Sequence, residues 1–316
     1  MRRLLLLPIV LTLALLPACK RPPERARVDA ALAPLLPGDT VAVACLRLDR
    51  MKGTPFYEKY VAGKRIKALD DFSKQTGLDL RESVWELVFS TNGTTSYVFI
   101  RGKFGGQFGL EPEFKVPGLL RTSYKDRYLL YAGDHGVVFM NTGAAVAGRV
   151  DDLKALIDGF DNRGRSTPQA VLDLVDTLPG TAQFWAASTQ PTALLPLGKG
   201  LDAMKGGDAM SNNLMRAARS VSQLKLWGDL SHGLEMHVQG AAANGEDATA
   251  LRDAFKAGVG MARLTTKDSQ PEMLRLYDGL SGSSDGPIVR IDVNEPFELL
   301  DSLLTKTHIA GKAGDD

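Results

Sequence analysis

An α+β fold is expected for this chain of 316 residues: two related strand-helix-hairpin units, with largely antiparallel sheets covered by helices. Three observations point to it. A Leu-Pro-Gly turn before a strand-like run occurs twice, in "LPGDTVAVACLRL" and "LPGTAQFWAAST", and the two Pro-Gly pairs stand 142 residues apart. Each run is followed by a stretch of helical character and then by a hairpin pattern, which is the signature of a duplicated unit. Each half later closes on a helix with one apolar face, and helices packed on antiparallel sheets are the layer solution for such an order.

The first unit is placed at 36–160. Its opening strand lies in "TVAVACLRL", and "TPFYEKYVAGKRIKALDDFSKQTG" has helical character. The hairpin "SVWELVFSTNGTTSYVFIRGKF" sets Asn92-Gly93, the dipeptide suited to a type I′ turn, between two β-rich runs. Several short strands follow in "LLRTSYKDRYLLYAGDHGVVFMNTGAAVAGRV". The unit ends on the helix "VDDLKALIDGF", whose Asp151 and Asp152 suit the positive end of the helix dipole. "DNRGRSTPQ", residues 161–169, marks the boundary between halves.

The second unit is placed at 168–308. After its first strand, "PTALLPLGKGLDAMKGGDAMSNNLMRAA" has helical character. In the hairpin "SQLKLWGDLSHGLEMHVQG", Leu224, Leu226 and Leu230 alternate with Lys225, Trp227 and Asp229. The return strand alternates Leu234, Met236 and Val238 with Glu235, His237 and Gln239, so the hairpin should be half buried. A helix capped by Asn244 carries Leu251, Phe255, Val259 and Ala262 on one face. "GLSGS" at 279–283 reads as a turn before the last strand, "GPIVRIDV". The helix in "NEPFELLDSLLTKT" is expected to be capped by Asn294 with Pro296 in its first turn, and 309–316 to be a loose tail.

Ahead of both units, Arg2 and Arg3 precede an apolar run from Leu4 to Leu16, too short to span a bilayer and of the length of an export signal. The stretch Leu16-Pro17-Ala18-Cys19 resembles the lipobox of bacterial lipoproteins. That resemblance implies cleavage after residue 18, a diacylglyceryl group on the Cys19 thiol and acylation of the new amino terminus. Several acyl chains hold a protein stably where one does not, each buried methylene contributing about 0.8 kcal/mol. Residues 1–18 are then signal peptide. Residues 19–35, with Lys20, Arg21, Arg25 and Arg27 against Glu24, form a tether that Pro22 and Pro23 stiffen. The resemblance further implies a cell-envelope protein facing the periplasm. Lys20 in place of Asp after the cysteine favours the outer membrane over the inner one.

Composition excludes more than it selects. Without the leader the chain carries 36 basic and 37 acidic residues, with no overall field to attract nucleic acid. The 298 residues from Cys19 onward suffice for a substantial core. With Cys19 lipidated, Cys45 has no partner for a disulfide, and its apolar run marks it as a buried strand residue. The strand and helix signals at Gly102-Lys103-Phe104, "VVFMNTGAAVAGRVDDLKALID" and Gly240 with "EDATALRDAF" resemble duplicated, exported bacterial proteins of unknown function. No catalytic residue carries over from that likeness.

Chemical motifs are sparse. Ser222 and Lys225 match the Ser-x-x-Lys of penicillin-recognising enzymes, but they sit in an alternating strand where residues three apart point to opposite faces. His135, His232, His237 and His308 lack metal-site spacing, so neither a metal nor a cofactor is expected. Trp85, Trp185 and Trp227 fall in strands and read as packing residues. The expected function is a non-catalytic interaction or assembly module, anchored to a membrane by lipid and partnered by another envelope protein. The alternatives are a periplasmic carrier or chaperone for an apolar ligand and, beyond that, a Ser-Lys envelope hydrolase.

Overall fold

The computed structural model describes residues 24–62, 64–66, 70, 73, 79–104, 118–161, 168–194 and 219–312. Twelve antiparallel strands form one sheet: β1 Ala42–Arg47, β2 Val84–Thr91, β3 Ser96–Gly102, β4 Leu120–Tyr124, β5 Arg127–Ala132, β6 His135–Asn141, β7 Ala144–Arg149, β8 Phe184–Ser188, β9 Val221–Asp229, β10 Gly233–Ala242, β11 Leu280–Asp285 and β12 Ile288–Pro296. Their spatial order is β11-β12-β10-β9-β8-β1-β2-β3-β7-β6-β5-β4. The longer helices are α1 Val150–Asp161, α2 Gln169–Val175, α3 Gly245–Thr265, α4 Pro271–Asp278 and α5 Phe297–Lys312.

The duplication is written into the centre of the sheet. β1 and β8, the opening strands of the two halves, pair with each other, and Ala44 faces Ala186. Those two alanines are separated by the same 142 residues as the two Pro-Gly turns. The flanking pairs are reciprocal under that offset, Ala42 with Ser188 and Leu46 with Phe184, so a pseudo-two-fold axis passes between Ala44 and Ala186. Around it each half adds its hairpin, β2-β3 on one side and β9-β10 on the other. The halves share one continuous sheet.

Register defines the two faces. A single cross-strand row runs Thr122, Leu129, Val138, Val146, Phe99, Val88, Cys45, Trp185, Trp227, His237, Asp292, Ser281. From Leu129 to Trp185 this row is buried. Leu153, Leu156 and Ile157 of α1, Val171 and Val175 of α2, and Ala26, Val28, Leu32, Leu35 and Leu36 of the N-terminal segment pack into the same core. Beyond Trp185 the row turns polar.

Across the sheet from the row, Leu46, Phe89, Val98, Phe184, Leu226 and Val238 are half buried. Toward the β11 edge this second face is covered by α3, where Gly282 stands so close that an added Cβ would lie 2.9 Å from Phe255 Cδ1. Phe255 belongs to the apolar stripe Leu251, Phe255, Val259 and Ala262, all half buried. The Asn244 cap forms as expected, its side chain accepting from the Asp247 N–H at 2.9 Å.

Four local expectations are corrected. The β2-β3 connection is a loop of Asn92 to Thr95 rather than a two-residue type I′ turn. Only Gly93 takes a positive φ there, and the Asn92 side chain accepts from the Thr94 and Thr95 N–H groups, which fits an Asx turn. Leu280–Asp285 is not a turn but the edge strand β11, whose Ser and Gly content suits an edge. β12 runs on through Pro296, so Asn294 is a strand residue and α5 starts at Phe297, whose N–H bonds the His232 carbonyl. The segment expected as a tether, 19–35, is described from Glu24 onward, and there it is docked: Ala26 donates to the Leu178 carbonyl and Gly180 donates to the Glu24 carbonyl.

Leu32 is fully buried, so Leu32→Ala should cost about 2–5 kcal/mol. The denaturation midpoint in urea measures this, and a free tether would leave the midpoint unmoved.

Candidate functional site

Two features of the fold are built from functional side chains: the clamp that holds residues 24–29, and the polar half of the sheet face. In the clamp, Arg47 at the end of β1 reaches across the segment, donating through Nη1 to the Gly180 carbonyl at 2.9 Å and through Nη2 to the Arg27 carbonyl at 3.1 Å. Arg50, one turn on, also bonds the Gly180 carbonyl and pairs with Glu24 at 3.6 Å. Glu86 lies between Arg47 and Arg101 in the register of β1, β2 and β3 and accepts from the Asp29 N–H at 3.4 Å. Asp29 in turn holds the Ala31 N–H and lies 3.3 Å from Arg101 Nε.

Burial raises the Glu86 pKa above the ordinary carboxylate range, against the opposing pull of the Asp29 N–H and Cys45. Cys45 is buried beside it. Its thiol is pushed far up by desolvation first and by Glu86 second, so it is inert as a nucleophile.

The polar half of the face is formed by β9, β10 and β12. His237 sits at its centre, stacked on Trp227 with ring centroids 5.2 Å apart. Its two ring nitrogens lie 2.7 Å from Asp292 Oδ1 and 3.1 Å from Glu235 Oε1. Partial burial lowers the imidazole pKa, but the hydrogen bonds and charges of Asp292 and Glu235 outweigh it and the net shift is upward. Trp227 links this surface to the core through its strand neighbour Trp185, which is 1% exposed.

The remaining candidates do not converge. Ser222 Oγ donates to the Ala241 carbonyl, whereas Lys225 Nζ reaches Thr177 Oγ1 and has its pKa lowered by burial and by Arg290. The structure does not bring the two side chains together. His135, at the exposed start of β6, pairs with its neighbour Asp134 at 2.7 Å, and His232 is exposed in the β9-β10 turn. His308 lies in α5. Cys19 and the whole leader lie outside the described residues. Among the described residues, no cluster of three or more His, Cys, Asp or Glu is arranged to hold a metal, and no helix is long and apolar enough to cross a membrane. Trp85, 38% exposed, lies under the Arg101 guanidinium at 5.2 Å from its ring centroid. Sequence reasoning missed the clamp because Arg47, Glu86 and Arg101 come from three strands and meet only through register.

Cys45 should resist a thiol reagent in native protein and react fully once the protein is unfolded, as thiol titration with and without denaturant will read. For His237 the folded pKa exceeds the unfolded value near 6.5. Its stabilising contribution is therefore complete below that value and disappears as pH rises through the raised folded one. His237→Gln should flatten this part of the stability profile, measured as denaturation midpoint against pH.

No protein-family model and no curated protein matches the chain. Among solved structures, crystal form III of the Treponema pallidum protein TP0453 is similar at 10% sequence identity and a TM-score of 0.50, covering 89% of this chain and 99% of that one. Crystal form I gives 9% identity and a TM-score of 0.44, with 90% and 99% covered. Crystal form IV gives 9% and 0.45, with 91% and 98% covered. The likeness to crystal form III is one of fold.

Proposed function

We propose that this chain is an envelope lipoprotein facing the periplasm, held to a membrane by acyl chains on Cys19, and that it works as a non-catalytic interaction or assembly module for another envelope protein. The observation that carries the reading is the join between anchor signal and body. A lipobox-like Leu16-Pro17-Ala18-Cys19 is followed, five residues after the cysteine, by Glu24, whose carbonyl already bonds the body at Gly180. The polar face of β9, β10 and β12 supplies a recognition surface. Trp227 and His237 offer a rigid, partly exposed stacked pair, and Lys225, Glu235, Arg290 and Asp292 ring it with charge of both signs. Stacked aromatic anchors with a polar surround are the usual composition of specific interfaces.

A carrier for an apolar ligand is the second reading. It is favoured by Leu46, Phe89, Val98 and Phe184, which stay half buried on one sheet face while Cys45, Val88, Phe99 and Trp185 on the other are buried. Lipid extracted with protein lacking residues 1–19 would support that reading over the first.

Intact protein should stay with membranes through a high-salt wash and show the acylated Cys19 by mass spectrometry, while Cys19→Ser should be released by that wash into the soluble fraction. A photo-crosslinker at Gln239 should then capture a partner that one at Asp173, on α2, does not. A bare thiol at Cys19, or capture that is equal at both positions, would overturn the reading.

A further inference from the structure

The docked N-terminal segment determines which end of the sheet can approach a membrane. Five residue-to-residue steps lead from Cys19 to Glu24, a reach of about 18 Å at full extension. Glu24 is tied to Gly180, and Ala26 to Leu178, at the end of the sheet where β1 finishes and β8 begins. The body therefore cannot swing freely.

Charge is distributed unevenly about this point. Residues 20–65 hold ten basic and five acidic residues, whereas residues 66–316 hold 26 and 32. The basic excess lies at the docking end. Arg25 and Arg27 are exposed on the segment itself, and Lys64 and Arg65 are exposed near the start of β2, where the Lys64 carbonyl accepts from Arg81 Nη2. Lys103 is exposed where β3 ends, and its N–H bonds the Ser83 carbonyl at the start of β2. Exposed Glu24, Asp49, Glu58 and Glu82 share this corner, while Asp29, Asp70, Asp79 and Asp301 are engaged with Arg101, Arg81 and Lys59. One of the five acids between 20 and 65, Asp39, lies at the opposite end against Asn92. Exposed Trp85, under Arg101, opens β2 at the docking end, and tryptophan is the side chain that favours the headgroup layer.

We propose that this end of the sheet is the membrane-facing surface, resting on anionic lipid headgroups through Arg25, Arg27, Lys64, Arg65 and Lys103, with Trp85 at the interface. The reach argument rests on the reading that Cys19 carries the lipid; the charge argument does not. Anionic leaflets attract bases near the surface, each contributing about a fivefold gain in binding. The polar face of β9, β10 and β12 then stands off the bilayer, open to a partner.

The test uses protein starting at Lys20, which has no acyl chain. It should bind vesicles of mixed phosphatidylcholine and phosphatidylglycerol, should not bind pure phosphatidylcholine, and should be released by salt. The variant Arg25→Gln, Arg27→Gln, Lys64→Gln, Arg65→Gln should lose about fivefold in binding per base removed. Arg149→Gln, Arg219→Gln, Lys256→Gln, Lys267→Gln, at exposed bases elsewhere, should bind as the parent does. Brominated lipid should quench tryptophan emission in the parent and much less in Trp85→Phe. If the fourfold variant does not fold, its two pairs are read separately. Absence of binding to the anionic vesicles at low salt, or equal losses from both sets of substitutions, would overturn the proposal. A bare Cys19 thiol in mature protein that still binds anionic vesicles would remove the lipoprotein reading alone. An acylated Cys19 on a body that ignores anionic headgroups would remove this one alone.

Discussion

Everything in the molecule depends on the antiparallel contact between β1 and β8. Each strand opens one half of the duplication, and neither half closes its sheet without the other. Ala44 opposite Ala186 brings the two backbones together with the smallest side chains that still allow a regular ladder. Around that contact the two hairpins repeat the same move outward, and the cores of both halves become one layer. The helices lie on both faces. α1 packs on the face that carries Cys45 and Val88, whereas α3 packs on the opposite face against Gly282. Among the described residues, no helix covers the polar half of the first face.

The second constraint is electrostatic. The N-terminal segment crosses a set of charges, Arg47, Glu86, Arg101 and Asp29, that would be costly to bury without partners. Each finds a partner in the segment's own backbone or in its neighbours, so the same contacts that satisfy the charges also hold the chain down. Leu32, Leu35 and Leu36 then add apolar burial to a segment whose first residues are strongly polar. From Glu24 onward the segment is thereby part of the folded body.

Much of this architecture was legible in the sequence. The Leu-Pro-Gly repeat, its 142-residue offset and the alternation in the β9-β10 hairpin identify the units and their faces, because each is a local signal. The helix at Asn244 was legible for the same reason, its cap and stripe being encoded within about a dozen residues. What escaped was non-local. Ala26, Val28 and Leu32 look like spacer because the neighbouring Lys20, Arg21, Arg25 and Arg27 dominate the composition. β11 looks like a turn because an edge strand of Ser and Gly has no apolar alternation to betray it. The clamp and the Trp227–His237 stack depend on which strands are neighbours, and that information is held only in the assembled register.

The central position of β1 and β8 also bears on how the chain reaches its native state. The two strands that must meet are separated by well over a hundred residues, so the pairing closes a very long loop and comes late. Until it does, β1 presents an open backbone edge of Ala, Val and Cys residues, the kind of template that recruits stray strands. The first half, made alone, would carry that edge without its partner strand.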